Sequence, residues 1–349
     1  MSATATATAH ADERLVTVSR LTRLLRRPEL GALLGAIVVW VMFALVDQTG
    51  QFATLSGTAN WTSVAATTGI VAVPVALLMI GGEFDLSSGV MVGTSGLLVG
   101  LLTTEYDVPM WPAIALVFLF AACIGLINGW LVMLTGLPSF IVTLAMFFSL
   151  RGINLGVTKA LTDTVRVAGV DQVPGYDSAA KVFGSTIGSS NFYISVVWWL
   201  LITVLATVVL TRTRFGNWIY AVGGDANAAR NTGVPVRRTK ITLFVCTSMA
   251  SALVGIISLT RLRSMQAGQG IGEEFTFIIA AVVGSCLLTG GYGSAIGASI
   301  GASIIGMAFI GIAFAGWNTD WTWLFLGVIL FIAVLVNSYI AKRAQGARK

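Results

Sequence analysis

Charge is scarce in this chain: of 349 residues only 10% are Asp, Glu, Lys or Arg, too few to cover a soluble globular domain. Histidine is nearly missing. The single copy, His10, lies in a polar N-terminal stretch, which removes the usual general base and the usual metal ligand and excludes most hydrolytic chemistry. The three cysteines, Cys123, Cys246 and Cys286, fall in apolar runs without metal-like spacing. Neither a disulfide framework nor a zinc centre follows, and they read as packing residues. The phosphate-cradling motif GxxxxGK[ST] is absent. Any nucleotide hydrolysis therefore belongs to another chain, and this one reads as part of a complex.

What is present is apolar. Hydrophobic residues make up 56% of the chain, and the mean hydropathy is +0.87. Runs of about 17–25 apolar residues, rather than alternating ten-residue stretches, select helices over a barrel, because backbone polar groups in lipid must be satisfied within the segment. The predicted fold is an all-α polytopic bundle. Ten runs are legible, near 31–47, 61–80, 88–104, 111–134, 138–157, 191–210, 241–262, 275–289, 294–315 and 321–340. Gly-rich joints interrupt the short runs 88–104 and 275–289, which are expected to be broken or re-entrant.

Residues 1–30 are polar, low in complexity and then basic, with no small-residue cleavage signal, and read as a cytoplasmic tail followed by a permease domain over 31–340 and a short tail over 341–349. An even number of spans puts both termini inside, with Arg14, Arg20, Arg23, Arg26, Arg27, Arg212, Arg214, Arg230, Arg237, Arg238, Lys240, Lys342, Arg343, Arg348 and Lys349. Only Lys159, Arg166, Lys181, Arg261 and Arg263 remain outside, among the acids Asp107, Asp163, Asp171, Asp177, Glu273 and Glu274. The net charge of +6 therefore reads as membrane orientation, not nucleic-acid binding. Two connections exceed simple turns: an outer one, 158–190, and an inner one, 211–240. The inner one contains DANAARNTG, a short helix opened by Asp225 as N-cap and closed by Gly233. Such a helix can act as a lever for a soluble partner.

The inner segment AVGGDANAARNTGVPV resembles the cytoplasmic coupling segment of bacterial ABC importers of the ribose, galactose and xylose type. Three further motifs fit the same family in order: Gly81-Gly82-Glu83-Phe84-Asp85-Leu86-Ser87, then Leu137-Pro138-Ser139-Phe140-Ile141-Val142-Thr143-Leu144 with Arg151-Gly152, then Gly290-Gly291-Tyr292-Gly293-Ser294. The resemblance covers roughly residues 60–335. It departs at Asp225, where the family commonly has Asn, and at Glu83, which lengthens the glycine-to-Asp85 spacing by one residue. It implies a permease subunit in a bacterial plasma membrane that moves a monosaccharide or polyol and is not an enzyme. The implied partners are an ABC ATPase, an extracytoplasmic solute-binding protein, a second permease copy or paralogue, and membrane lipid. This chain would bind no cofactor, while ATP and Mg would serve the partner ATPase. Gly223, Gly224, Asp225, Asn227, Ala228, Ala229, Arg230 and Gly233 would contact that ATPase, and the loops 158–190 and 263–274 the binding protein.

Ionisable groups inside a membrane are costly, so Glu83, Asp85 and Arg151 stand out. Asp85, with Ser87 and Ser88, reads either as a cap on the following helix or as part of a gate together with Glu83. Arg151 reads as a structural anchor bonded to carbonyls. Asn128, Ser139, Phe140, Thr143, Phe147 and Asn154 have the polar and aromatic character a sugar path needs, and equally suit packing. Gly81, Gly82, Gly290, Gly291 and Gly293 read as tight joints before small-residue-rich helices, and the likeness of the two joints hints at duplicated halves. The same motifs leave open nucleosides, branched-chain amino acids or a furanosyl signalling molecule as solute. An ion-coupled carrier, disfavoured by the scarcity of intramembrane acids, and a channel or structural component, disfavoured by the coupling-like loop, are the readings of other classes.

Overall fold

The computed structural model describes residues 28–346; the expected tail residues 1–27 and 347–349 lie outside the described residues. Apolar runs become helices wherever a capping group or a helix-ending turn brackets them. In chain order these are α1 (Pro28–Val46), α2 (Leu55–Ile80), α3 (Ser87–Thr104), α4 (Met110–Thr135), α5 (Ser139–Thr162), α6 (Tyr176–Phe183), α7 (Ser195–Arg212), α8 (Arg214–Gly224), α9 (Ala226–Asn231), α10 (Val236–Leu262), α11 (Glu273–Val283), α12 (Ala295–Phe314) and α13 (Trp321–Gly346). The hydroxyls of Thr54 and Ser294 accept from the Gly57 and Gly297 amides and cap α2 and α12. Gly136, with φ of 67°, ends α4 in the left-handed region.

Among the described residues, α1 to α5, α7, α10 and α12 are long and apolar enough to cross a membrane, and α13 adds the apolar stretch Trp321–Val336. The run 88–104, expected to be broken or re-entrant, is the continuous helix α3; the run 275–289 differs. At 11 residues, α11 is only about 16 Å long, half a bilayer. The run read as 275–289 thus stops at Val283, and residues 284–294 continue without helix. Cys286 lies in that non-helical stretch, buried, while Cys123 and Cys246 are exposed on the outer surface of the bundle rather than packed. The expected short C-terminal tail continues α13 as helix through Gly346.

Helix α2 is the spine: it packs against α12, α7, α10 and α11, and α10 in turn packs against α3 and α4. At one end of the bundle lie α8, α9 and the cations Arg212 to Lys240, here called the basic end. At the other end, the long connection is ordered. It forms strand β1 (Arg166–Ala168), a 3-10 turn (Val170–Gln172) and α6, and β1 pairs antiparallel with β2 (Ser264–Gln266). The Tyr176 hydroxyl anchors this cap on the Thr260 carbonyl at 2.7 Å.

Candidate functional site

Two short helices build the surface at the basic end. The Thr213 hydroxyl accepts from the Gly216 amide to start α8, which ends at the pair Gly223-Gly224. Asp225 then starts α9. Its Oδ1 accepts from the amides of Asn227 (2.8 Å) and Ala228 (3.0 Å), so the carboxylate satisfies two otherwise orphaned donors and complements the helix dipole. Gly233, at φ of 85°, turns the chain towards Pro235 and α10. One side of α9 is seated: Ala229 packs against Val222 and Val236, with Met133, Ala226 and Val234 around it. Asn227, Ala228 and Arg230 are exposed. The predicted coupling set therefore divides into a seat, Ala229, a presented face, Asn227, Ala228 and Arg230, and an interior member, Gly223.

Three diglycine pairs, far apart in sequence, meet beneath this surface. The Gly291 amide donates to the Ile80 carbonyl at 2.8 Å. A Cβ placed on Gly223 would overlap that same carbonyl oxygen and come within 2.7 Å of the Gly291 nitrogen. A Cβ on Gly290 would lie 2.9 Å from the Gly82 Cα, and one on Gly291 3.1 Å from the Gly224 Cα. Gly82, Gly290 and Gly291 all have left-handed φ, from 73° to 82°, which L-residues rarely adopt. The joints at Gly81-Gly82 and Gly290-Gly291, expected as separate helix-packing turns, are thus one junction with Gly223-Gly224 as its third member. Gly293 is held there too: its carbonyl accepts from the Tyr220 hydroxyl at 2.9 Å. Burial, then nearby Cys286 and Glu29, push the Tyr220 phenol above its ordinary pKa, so it stays a donor. The Ser294 hydroxyl donates to Glu29 of α1 at 2.8 Å.

Residues 81–86 rise from this junction without helix, and four of the polar side chains expected to line a path are bonded to that segment and to α3. The Phe84 amide donates to Ser139 Oγ (3.0 Å) and the Leu86 amide to Thr143 Oγ1 (3.1 Å). Asp85 Oδ1 accepts from the amide (2.8 Å) and hydroxyl (2.6 Å) of Ser87. Asp85 thus organises the first turn of α3 from one residue before its N-cap, Leu86. Asn128 Nδ2 donates to Ser87 Oγ (2.9 Å), and Asn154 Nδ2 to Thr94 Oγ1 (3.1 Å). Glu83 is ion-paired with Lys240. Phe147 is buried edge-on to Phe148, whereas Phe140 is exposed. Four of the six predicted path residues, Asn128, Ser139, Thr143 and Asn154, therefore fasten helices in this state.

Two features differ from the sequence expectation. Arg151, expected to be an anchor bonded to carbonyls, is exposed in the middle of α5 with no hydrogen-bond or ion-pair partner among the described residues. Gly152 and Gly156 beside it have nothing within 4 Å of a built Cβ. The stretch 263–274, expected as an outward loop, turns into the bundle. Val167 and Met265 lie over Gly100 and Gly96 of α3, the Gln269 carbonyl over Gly93, and the Gly270 carbonyl with Glu274 over Gly89. From Gly100 to Gly89 is about 16 Å along the helix. Non-helical backbone at membrane depth is tolerated only where protein buries it or it lines a cavity. The spacing of glycines on α3 was the available signal, but nothing in the sequence says which segment they receive.

A multi-pass helical bundle with one crossing broken within residues 264–283 and a capped helix at its basic end suits a membrane transport subunit. Residues 57–334 match the family model described as branched-chain amino acid transport system / permease component, and the chain belongs to that family. Its curated relatives include the probable ABC transporter permease protein YphD of Escherichia coli K12, 32% identical over 92% of each chain. The fructose import permease protein FrcC of Rhizobium meliloti is 33% identical over 80% of this chain and 77% of its own. The xylose transport system permease protein XylH of Escherichia coli K12 is 29% identical over 89% and 92%. No solved structure matches significantly. Membership makes the chain a non-catalytic, multi-pass subunit of the bacterial inner membrane and implies an ATPase and a solute-binding protein as partners.

Proposed function

We propose that this chain imports a monosaccharide or polyol, delivered by a binding protein at the capped end and driven by an ATPase gripping α9 at the basic end. The observation that carries the reading is α9 itself, a six-residue helix too short to persist alone. Its Asp225 cap and Ala229 seat hold it against the bundle, while Asn227, Ala228 and Arg230 face outward. The charge distribution supports placing this end in the cytoplasm. The relatives named for xylose and fructose support the solute class. The family description keeps branched-chain amino acids as the second reading.

A second copy of the chain completes the path. An unpaired guanidinium facing acyl chains costs about 2.5–3.5 kcal/mol on insertion scales, so the face of α5 carrying Arg151, Gly152 and Gly156 belongs against water or protein. Two such faces across a dimer axis would bound an aqueous route. Asp85, Glu83 and the side chains bonded to the 81–86 segment would close it at the basic end, and Phe140 and Phe147 would stand along it. The test is uptake into proteoliposomes holding the permease, its ATPase and its binding protein, with pentoses, hexoses, polyols and branched-chain amino acids offered in turn. ATP-dependent sugar uptake is expected. Uptake without the ATPase would overturn the mechanism, and uptake of amino acids alone would replace the solute.

A further inference from the structure

Two connections at the basic end are non-helical: residues 81–86 between α2 and α3, and residues 284–294 between α11 and α12. Each is a place where the bundle can change shape without sliding a whole helix. Both touch α8. Gly223 sits against the Ile80 carbonyl and the Gly291 amide with no space for a methyl group, and Gly224 backs onto Gly291. Tyr220, one turn earlier on α8, holds the carbonyl of Gly293. At this same end α8 passes from Gly224 through Asp225 straight into the presented helix α9. A displacement of α9 therefore reaches both connections through the same backbone contact.

We propose that this junction of three diglycine pairs is the joint through which the ATPase moves both connections, and the helices they join, together, with Gly223 and Tyr220 as its positioning residues. The proposal rests on the ATP-driven reading above. Its logic is bistability: a tightly packed contact transmits a shift by repacking and not by yielding. Glycine on all three strands lets backbone meet backbone, so no side-chain rotamer can absorb the motion. Cys286 reports on the joint, being wholly buried in residues 284–294.

The experiment uses the complete complex in proteoliposomes, with Cys123 and Cys246 replaced by serine so that Cys286 is the only thiol of this chain. Reaction of Cys286 with N-ethylmaleimide is timed by mass spectrometry with and without vanadate-trapped ATP. Trapping is expected to change the rate about fivefold or more, the lower end of ordinary coupling between sites. Gly223→Ala and Tyr220→Phe should each remove most of that change while ATP hydrolysis continues, and Gly327→Ala, on a helix with open space around it, should keep it. If Gly223→Ala does not fold, Tyr220→Phe, which deletes one hydrogen bond, decides. Unchanged labelling in the parent, or the full change in both variants, overturns the joint alone. If no ATPase associates with the parent permease, the ATP-driven reading falls and the joint with it.

Discussion

Glu83, in the non-helical segment after α2, is ion-paired with Lys240 in the second turn of α10, and the two side chains keep only 10% and 13% of their surface exposed. The pair ties the 81–86 segment to the helix that follows the coupling loop. Removing one partner from so sheltered a pair leaves a charge without compensation, whereas removing both leaves none. Lys240→Met is expected to destabilise the detergent-solubilised protein by about 3 kcal/mol, the low end for a sheltered pair. Glu83→Gln combined with Lys240→Met should recover most of the loss. Thermal unfolding of the three proteins makes the comparison, and a double variant no better than the single would count against the pairing.

Among the described residues, Asp225 is the only side chain bonded to the first amides of α9. Losing an N-cap costs about 1 kcal/mol, enough to weaken association about fivefold when the helix must be formed to bind. Asp225→Ala should therefore lower ATPase affinity by that factor, and Asp225→Asn should leave it near the parent. Equal affinities for all three in a pull-down titration would show that α9 is not the gripped element.

The helices were legible because apolar periodicity and length are local properties: nine of the ten runs appear as long helices in the expected order. What escaped was non-local. Gly81-Gly82 and Gly290-Gly291 read as turns and Gly223-Gly224 as part of the ATPase contact, and their convergence depends on packing across about two hundred residues. Asn128, Ser139, Thr143 and Asn154 illustrate a second limit. A polar side chain on a membrane helix serves equally to bind a solute or to fasten a neighbour, and spacing does not separate the two uses. Arg151 failed for the converse reason, since an anchor needs a carbonyl that only the fold could have supplied.

The segment laid along α3 makes a sharp demand on volume. A methyl group on Gly93 would overlap the Gln269 carbonyl oxygen, and backbone has no rotamer with which to withdraw. Gly93→Ala should cut the yield of monodisperse protein several-fold through overpacking worth about 1–3 kcal/mol. Gly327→Ala, with nothing within 4 Å, should not. Size-exclusion profiles at matched expression compare them, and equal yields would mean that residues 264–272 do not lie on that face.

Arg151 separates structure from transport most cleanly. It makes no hydrogen bond or ion pair among the described residues and is exposed on α5, so Arg151→Leu removes no internal contact. If the exposed face of α5 met lipid, the change would relieve an insertion penalty of about 2.5–3.5 kcal/mol and leave uptake intact. If that face bounds an aqueous route between two copies, leucine replaces a hydrated cation with an apolar wall. Folding is then unaffected while solute uptake falls about tenfold or more, corresponding to about 1.4 kcal/mol or more on the transport barrier. Thermal stability and ATP-driven uptake measured on the same preparation distinguish the outcomes. A more stable Arg151→Leu protein with parental uptake would place α5 against lipid and move the route elsewhere in the bundle.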